Sequence, residues 1–367
     1  MTEHEAYVGF NLTERVGSVA VAGLVARFGS VAAAWAEYPK KKARAGGEVD
    51  IAAEERKAKE FGVVILTPAD AGYPKILLKE SSHPLALYVK GRVEALSKPA
   101  LALVGTRRAD DYGLVTAEEL SHDLAAGGWM IVSGLALGID AAAHRGALVA
   151  GGTTVGVLGS ALDRFYPAEN RELAREIVAK GGAVVSEFPF GREPDTQTFP
   201  QRNRTVATLA RGVIAVQAPV KSGTLITAAL AVDLGRTVMA VPARIRDRLG
   251  AGCLKLLRDG ARLVRNAEDV FDEMSELLPR SRMKPVAAEP DARREPPAIE
   301  LPAVTLEESL VLKAVDEDGV SVDRVVSVTG LPPAKVSALC MALRLKGRLR
   351  YLPGNRVALP LVFRHGV

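Results

Sequence analysis

The sequence predicts an α/β protein built on a Rossmann-like, doubly wound parallel sheet, flanked by a small N-terminal helical domain and a C-terminal winged helix. Three observations predict this fold class. Strands and helices alternate in the middle of the chain, a glycine-punctuated apolar pattern precedes them, and three helical patterns with a short hairpin follow.

The strand–helix alternation begins after Lys98. Six short apolar runs have the length of strands: 100–104, 130–132, 154–158, 183–185, 213–216 and 238–241. Helical patterns lie between them, for example at 116–125, 140–149, 169–180 and 225–234. Because βαβ crossovers are right-handed, this pattern predicts a parallel sheet with helices on both faces. We assign residues 61–278 to this domain.

The N-terminal pattern places glycine between short apolar runs over residues 7–45, as at Gly17 and Gly29. Such spacing is typical of short helices joined by tight turns. We therefore assign residues 1–60 to a helical domain of the SAM-like or helix-hairpin-helix type. Units of this type sometimes hold a DNA backbone, but a packing role is the favoured interpretation.

The C-terminal part begins with a predicted linker, because residues 279–304 contain six prolines and nine charged residues without an apolar period. Helical patterns follow at 305–316, 321–328 and 333–346, and a Pro-Gly-Asn turn then separates two short strand patterns. Three helices followed by a two-stranded wing predict a winged-helix domain over residues 305–367.

Length and composition limit the class of protein. A chain of 367 residues favours two or three domains. Hydrophobic residues make up 48% of it, yet no apolar run reaches 18 residues, so we expect no membrane segment and no membrane partner. No signal-like segment begins the chain, and its two cysteines, Cys253 and Cys340, lie far apart. These features predict a cytoplasmic protein without a metal site, and we expect no cofactor.

The net charge of +5 is unevenly placed, because residues 335–367 hold seven Lys or Arg and no Asp or Glu. The rest of the chain is close to neutral, so it would bind nucleic acid only through a few local groups. In the tail, a helix and a wing could enter a DNA groove. The candidate contacts there are Lys346, Arg348, Arg350 and Arg356. A solvated basic face or a docking surface for a partner is the alternative. The helix has no Asn or Gln, which argues against sequence-specific readout.

Two segments combine the groups that bind anionic oxygen best. Residues 199–204 (Phe-Pro-Gln-Arg-Asn-Arg) supply guanidiniums and an amide, and residues 221–224 (Lys-Ser-Gly-Thr) supply an ammonium, hydroxyls and a glycine N–H. Predicted strands end in glycine or small polar residues, at the edge where open parallel sheets bind ligands. The sequence therefore predicts a crevice for several phosphates. Its candidate residues are Gly105, Thr106, Arg107, Ser133, Gly134, Arg202, Asn203, Arg204, Lys221, Ser222, Gly223 and Thr224.

Other site chemistries are less well supported. No G-x-G-x-x-G follows the first predicted strand and no G-x-x-x-x-G-K-[ST] occurs, so neither a dinucleotide site nor a P-loop is predicted. Asp140 and His144 lie four residues apart and could form an acid–base pair, but a capping Asp140 and a buried His144 are favoured. Glu187 is equally a candidate general base and a structural acceptor. We assign no catalytic residue.

The motifs along residues 73–264 together resemble those of the DprA/Smf family of DNA-processing proteins. They occur in family order as Gly105-Thr-Arg with Tyr112-Gly, Ser133-Gly-Leu-Ala-Leu-Gly-Ile-Asp with Ala143-His, Tyr166-Pro, Ser186-Glu, Phe199-Pro-Gln-Arg-Asn-Arg and Ser222-Gly-Thr. The resemblance implies a cytoplasmic, dimeric protein that binds single-stranded DNA. It also implies that the protein protects incoming DNA during natural transformation and loads RecA recombinase onto it.

The motif match also implies which residues contact phosphate. They are Arg107, Ser133, Gly134, Arg202, Asn203, Arg204, Lys221, Ser222 and Gly223. Some relatives carry lysines where this chain has Ala168 and Gln201, which predicts fewer phosphate contacts here. The chain also departs from the family pattern at Ala243 and Leu254, where glycine and asparagine are usual. Aromatic residues are only 5% of the chain, so stacking is expected to be limited to a few rings such as Phe199 and Tyr112.

Two other functions remain open from the sequence. The first is a nucleotide-processing hydrolase of the phosphoribohydrolase type, in which Glu187 would act as a base. The P-G-G-x-G-T signature of those enzymes is absent, and residues 221–224 echo it only in part. The second is a regulator that binds duplex DNA through the winged helix, with the central domain in support.

Overall fold

The computed structural model describes residues 1–39, 48–275, 305–316, 319–346, 348–352 and 354–359. The chain forms two compact units, Met1–Ala287 and Ala288–Val367. The predicted linker at 279–304 lies outside the described residues. A finer division of the first unit at residue 60 stays a prediction.

The first unit begins with four helices. They are α1 (Glu3–Leu12), α2 (Ser18–Phe28), α3 (Val31–Glu37) and α4 (Ile51–Phe61). α1 starts with a capping box between Thr2 and Glu5, which satisfies the first free N–H groups of the helix. The Phe10 ring meets the Trp35 ring edge-on at 5.0 Å between centroids. Gly9 allows this close packing, because a Cβ atom there would lie 2.7 Å from the Trp35 ring.

A nine-stranded sheet follows in the same unit. Its strands are β1 (Val64–Leu66), β2 (Leu87–Gly91), β3 (Ala100–Val104), β4 (Met130–Ser133), β5 (Thr154–Val157), β6 (Ala183–Ser186), β7 (Gly212–Ala215), β8 (Thr237–Ala240) and β9 (Arg262–Leu263). The order is β1-β2-β6-β5-β4-β3-β7-β8-β9. The seven strands from β6 to β9 in that order are parallel, and β2 and β1 extend one edge in antiparallel pairing. The predicted doubly wound parallel sheet is confirmed; β1 and β2 add an antiparallel edge and β9 adds a short parallel strand at the other edge, beyond the six predicted strands.

Helices cover both faces of the sheet. They are α5 (Asp111–Ala126), α6 (Ile139–Val149), α7 (Arg171–Ala179), α8 (Thr198–Leu209), α9 (Gly223–Asp233), α10 (Ala251–Arg258) and α11 (Ala267–Glu273). Side chains of β3 alternate between the faces, as the period of a strand requires. Leu101 and Leu103 pack with α5 and α6, whereas Ala102 and Val104 pack in the core that α8 and α9 cover. The helix α8 was not among the predicted helical patterns.

β3 is the strand where the order of the sheet reverses. It pairs with β4 on one side, Leu101 opposite Ile131, and with β7 on the other, Ala102 opposite Val213. The loops that leave the carboxyl ends of these strands therefore meet outside one sheet edge. In open α/β sheets that place forms the ligand-binding crevice.

The second unit has the elements of a winged helix. They are α12 (Leu306–Lys313), β10 (Val320–Ser321), α13 (Val322–Thr329), α14 (Pro333–Leu345), β11 (Arg350–Leu352) and β12 (Arg356–Ala358). The small sheet has the order β10-β12-β11 and is antiparallel. The helices enclose an apolar core that contains Val311, Val325 and Val336. The predicted three helices and hairpin are confirmed, with β10 as an added short strand.

Among the described residues, no single helix has the length and apolar composition to cross a membrane. Two sharply bent helix pairs, α2 with α3 and α13 with α14, have that length and composition only when the two helices of a pair are counted together. The described residues also contain no group of three or more His, Cys, Asp and Glu arranged to hold a metal ion. Cys253 and Cys340 are buried free thiols.

Replacement of Leu103 by alanine tests the central position of β3. This side chain is 0% exposed. Leu103→Ala should lower the free energy of unfolding of the first unit by about 2–5 kcal/mol, because it leaves a cavity in the core. Both tryptophans, Trp35 and Trp129, lie in that unit, so urea unfolding followed by tryptophan fluorescence reports on it alone. Val149→Ala is the control, since Val149 is 77% exposed and its loss should change the value by under about 0.5 kcal/mol. Equal effects of the two changes would contradict the assigned core.

Candidate nucleic-acid interface

The loop after β3 carries Arg107 at the sheet edge. Its backbone is fixed on both sides: the Thr106 N–H donates to the Gln217 carbonyl at 2.7 Å, and the Ile139 N–H donates to the Thr106 carbonyl at 3.3 Å. A side chain at Gly105 would overlap Ile139, so the loop needs glycine there. Arg107 itself is exposed, and its guanidinium lies over the Phe199 ring, 4.8 Å from the centroid. The loop thus presents a held but accessible cation.

The loop after β4 packs directly against the loop that bears Arg107. The backbone N–H groups of Gly134 and Ala136 donate to the Asp140 carboxylate at 3.1 and 3.4 Å. Gly138 has φ +75°, and a Cβ atom there would overlap the Thr106 carbonyl. Only glycine meets both demands, a left-handed conformation and a close backbone approach.

Arg202 is buried beneath these loops and is only 5% exposed. Its Nη1 donates to the Val157 carbonyl at 3.2 Å and lies 3.9 Å from the Asp140 carboxylate. Burial lowers the pKa of the Arg202 guanidinium, and Asp140 opposes that shift. Burial likewise raises the pKa of the Asp140 carboxyl, and Arg202 opposes it. The two groups therefore form a buried pair in which each charge supports the other.

A small recess opens at the carboxyl ends of the central strands. Its lining includes Arg107, Gly134, Leu137, Tyr166, Phe199 and Arg202, and its volume is about 30 Å³. The Tyr166 and Phe199 rings stand 6.2 Å apart between centroids, and Tyr166 is 47% exposed. A guanidinium beside two aromatic rings suits a phosphate next to a stacked base or sugar. Tyr166 was missed as a site residue. Its position after a strand, in a Tyr-Pro pair, was the available signal.

A second concavity, which we term the cleft, lies between the N-terminal helices and the sheet. It has a volume of about 710 Å³ and is lined by the start of α2, the segment 82–85 and the exposed sides of α8 and α9. Gln201 and Arg204 face it, and the Arg204 guanidinium donates to the Ser82 hydroxyl. Side chains two residues apart on a helix are related by a rotation of about 200° around the helix axis, so they point to nearly opposite sides. Arg202 and Arg204 therefore lie on different sides of α8, and the predicted single crevice is divided into the recess and the cleft.

The second predicted segment begins α9, close to Asn203. Ser222 is the N-cap residue and α9 starts at Gly223, where a Cβ atom would lie 3.9 Å from the Asn203 amide nitrogen. Lys221 is exposed, whereas Thr224 is buried. The Ser222 hydroxyl is buried and has no hydrogen-bond partner within the described part of the chain. None of these four residues lines the recess. They form a separate polar patch at a helix N-terminus, where anions are favoured.

Ser133 does not present its side chain at this edge. Its hydroxyl donates to the Leu103 carbonyl at 2.6 Å inside the sheet, and the residue is fully buried. Tyr112, a predicted stacking ring, donates its hydroxyl to the Pro242 carbonyl at 3.5 Å and does not line the recess. The alternation of side chains along a strand, which the motif does not reveal, explains the position of Ser133.

The acid–base interpretation of Asp140 and His144 does not fit their surroundings. The His144 ring is fully buried, and its Nδ1 lies 2.6 Å from the Thr154 hydroxyl, which itself donates to the Ile131 carbonyl. The hydroxyl has one proton, so the ring must be the donor. Burial lowers the pKa of His144 to about 3, and it stays neutral. Asp140 accepts hydrogen bonds from the loop before α6, at Gly134 and Ala136, and does not cap the N-terminus of α6.

Glu187 faces the cleft rather than the recess. Its carboxylate accepts a hydrogen bond from the Thr205 hydroxyl, and its backbone carbonyl accepts one from the Asn11 amide at 3.4 Å. These contacts join the sheet to α8 and to α1. A structural acceptor is therefore the better description of this residue.

The basic residues of the winged helix are largely engaged within their own unit. Lys346 pairs with Glu308 at 2.7 Å, Arg350 donates to the Leu359 carbonyl at 3.1 Å, and Arg356 donates to the Gly319 carbonyl at 2.7 Å. Arg348 is half-buried. The basic tail of the sequence is thus partly neutralised in the fold, and contact of these four residues with duplex DNA stays a prediction.

Comparisons with known proteins agree with this architecture. The sequence matches the family described as DNA recombination-mediator protein A over residues 64–275 and the DprA winged helix domain over residues 292–355. Protein Smf of Synechocystis sp. is 36% identical over an alignment of 315 positions that covers 79% of this chain and 79% of that protein. The DNA processing protein DprA of Streptococcus pneumoniae is 41% identical over 204 residues, 56% of this chain and 72% of that protein.

Two solved structures of such proteins are similar to this one. The X-ray structure of DprA from Streptococcus pneumoniae has a TM-score of 0.61 and 34% identity, covering 74% of this chain and 98% of that chain. A structure of the Helicobacter pylori protein has a TM-score of 0.53 and 31% identity, covering 58% of this chain and 96% of that chain. The latter is described as showing a single-stranded DNA binding mode of that protein.

Replacement of Gly134 by alanine tests the close approach of Arg202. A Cβ atom at Gly134 would overlap the Arg202 guanidinium, so Gly134→Ala should cost about 1–3 kcal/mol of unfolding free energy through overpacking. The measurement is urea unfolding followed by tryptophan fluorescence. Gly23→Ala is the matched control, because its Cβ would meet nothing within 4 Å and α2 would gain a better helix former. A Gly134→Ala protein as stable as the Gly23→Ala protein would contradict the assigned contact.

Proposed function

The chain belongs to the DprA/Smf family of DNA-processing proteins, and we propose that it binds single-stranded DNA at the strand-end recess, protects the strand and loads RecA recombinase onto it. We further propose that it does so without catalysing a reaction. The observation that carries the proposal is the exposed Arg107 guanidinium, held over Phe199 at the point where the strand order reverses.

Arg107 has the properties that contact with a DNA backbone requires. It is exposed, its planar guanidinium matches the geometry of a phosphate, and its loop is fixed by backbone hydrogen bonds to neighbouring loops. Phe199 and Tyr166 offer ring faces beside it, and every base has a face that can stack on them. Contacts of this kind hold DNA with little regard for sequence.

Arg204 and Asn203 extend the proposed path of the strand. The first turns of α8 separate the recess from the cleft, so a strand that leaves Phe199 and crosses this helix reaches Gln201 and Arg204. Asn203 and Lys221 lie on the neighbouring polar patch, with Asn203 close to Gly223. We infer that one subunit contacts two to four phosphates, which predicts a salt slope of roughly 0.7 per phosphate for single strands.

A dimer would increase the grip of such a small site. Two recesses on one strand raise the effective concentration of the second contact, which lowers the dissociation rate without new interactions. Dimerisation and the RecA partnership are implied by the family resemblance, and the family description as a recombination mediator supports the latter. A mobility shift of single strands against duplex at two salt concentrations, with the mass of the free protein, tests the strand preference and the dimer.

Charge reversal of the exposed Arg107 and the half-buried Arg204 tests the strand path. Arg107→Glu and Arg204→Glu should each weaken binding of oligo-dT at least about tenfold, because a phosphate contact is replaced by repulsion. Fluorescence anisotropy at low and moderate salt measures the affinity, and circular dichroism checks the fold. Arg175→Glu is the matched control, since Arg175 is exposed on α7 and pairs there with Glu172 at 2.8 Å. Unchanged affinity of both variants would overturn the proposed site.

Incubation with nucleoside monophosphates tests the hydrolase alternative. We expect no release of free base, because Glu187 is bonded to Thr205 and faces the cleft rather than the recess. Chromatography of the reaction mixture measures the product, and Glu187→Gln is the control variant. Base release by the wild-type protein that is lost in Glu187→Gln would establish the enzyme instead.

A further inference from the structure

Asp140 is a buried carboxylate that holds the loop after β4 in place. It is 6% exposed, and one oxygen, Oδ2, accepts hydrogen bonds from the Gly134 and Ala136 N–H groups. The Asn170 amide holds the same loop from the other side, donating to the Leu135 and Ala136 carbonyls at 2.9 and 3.0 Å. The shape of the loop therefore depends on two buried polar side chains.

This loop in turn positions Arg107. Its last residue, Gly138, packs on the backbone of Thr106 and Arg107. A Cβ atom at Gly138 would lie 2.3 Å from the Thr106 carbonyl oxygen and 3.0 Å from the Arg107 carbonyl oxygen. The following residue, Ile139, donates its N–H to the Thr106 carbonyl at 3.3 Å. A shift of the Asp140 loop must move the backbone that carries Arg107, because no space separates the two.

Arg202 completes the arrangement from below. Its Nη1 bonds the Val157 carbonyl and lies 3.9 Å from Asp140, and its Nε has no partner within the residues that the structure describes. Arg107 is close enough for its charge to disfavour the charge on Arg202. Two guanidiniums thus border the recess, and Asp140 is the carboxylate that pairs with the buried one. Without it, a buried cation would be left unpaired beside a second cation.

We propose that Asp140 is a positioning residue for Arg107, and that Arg202 supports the recess through Asp140 rather than by contacting phosphate itself. The inference rests on the proposed function, in which Arg107 contacts the DNA backbone. It assigns the arginines of the site three different tasks: Arg107 binds the strand, Arg202 supports the loop, and Arg204 faces the cleft.

A double-mutant cycle between Asp140 and Arg107 tests this coupling. Asp140→Ala removes both the acceptor and the charge, so binding of oligo-dT should weaken about tenfold and the salt slope should fall by about 0.7, the value for one phosphate. Arg107→Ala should give the same loss of slope. The double variant should bind no more weakly than Arg107→Ala, because both changes remove one contact. Asp233→Ala is the control, since Asp233 is exposed at the far end of α9.

A purely structural role for Asp140 would give a different result. It would lower stability, read from tryptophan fluorescence during unfolding, but leave the salt slope of the folded protein unchanged. Asp140→Asn keeps an acceptor for the two N–H groups but leaves the buried Arg202 without its charged partner, so its affinity and salt slope should lie between those of the wild type and of Asp140→Ala. If Asp140→Ala does not fold, Asp140→Asn decides: a wild-type slope, or additive losses with Arg107→Ala, overturns the inference. Unchanged binding of Arg107→Ala would instead overturn the proposed function, and that variant is read separately.

Discussion

The reversal of strand order at β3 is the constraint on which the site depends. Because β4 and β7 pair with opposite sides of this strand, the loops that follow all three strands leave the sheet at one place. Glycine at positions 105 and 138 then lets the loops after β3 and β4 approach each other closely, and Gly134 leaves room for the Arg202 guanidinium. The resulting surface carries the exposed Arg107. The site is thus a product of topology first and of individual side chains second.

Much of this fold could be predicted from the sequence, because buried parallel strands are short apolar runs between helices. The six predicted strands and the winged helix are confirmed by the structure. The edge strands β1, β2 and β9 were missed, since β1 is three residues long, β2 ends in exposed residues and β9 is two exposed residues. The α8 helix was missed because its first turns carry proline and polar residues rather than an apolar period.

The site was predicted in composition but not in arrangement. The residues of the segment 199–204 were singled out, yet their sequence spacing does not show which side of a helix each one faces. Burial was equally invisible: a lone arginine gives no sign that, like Arg202, it will be paired under a loop. For the basic tail, the sequence overstated the positive charge that is free to bind DNA. The charges of Lys346, Arg350 and Arg356 are visible in the sequence, whereas the acidic and carbonyl groups that they contact lie elsewhere in the fold.

The position of α8 between the recess and the cleft constrains which sequence changes this helix can accept. Substitutions on one side of the helix change the lining of the recess or of the cleft and leave the other unchanged. An insertion of one residue within the first turn would rotate every following side chain by about 100° and carry Arg202 out from under its loop. The ion pair between Arg202 and Asp140 would be broken, and different side chains of α8 would line the recess and the cleft. Over these residues, length is therefore constrained more tightly than side-chain identity.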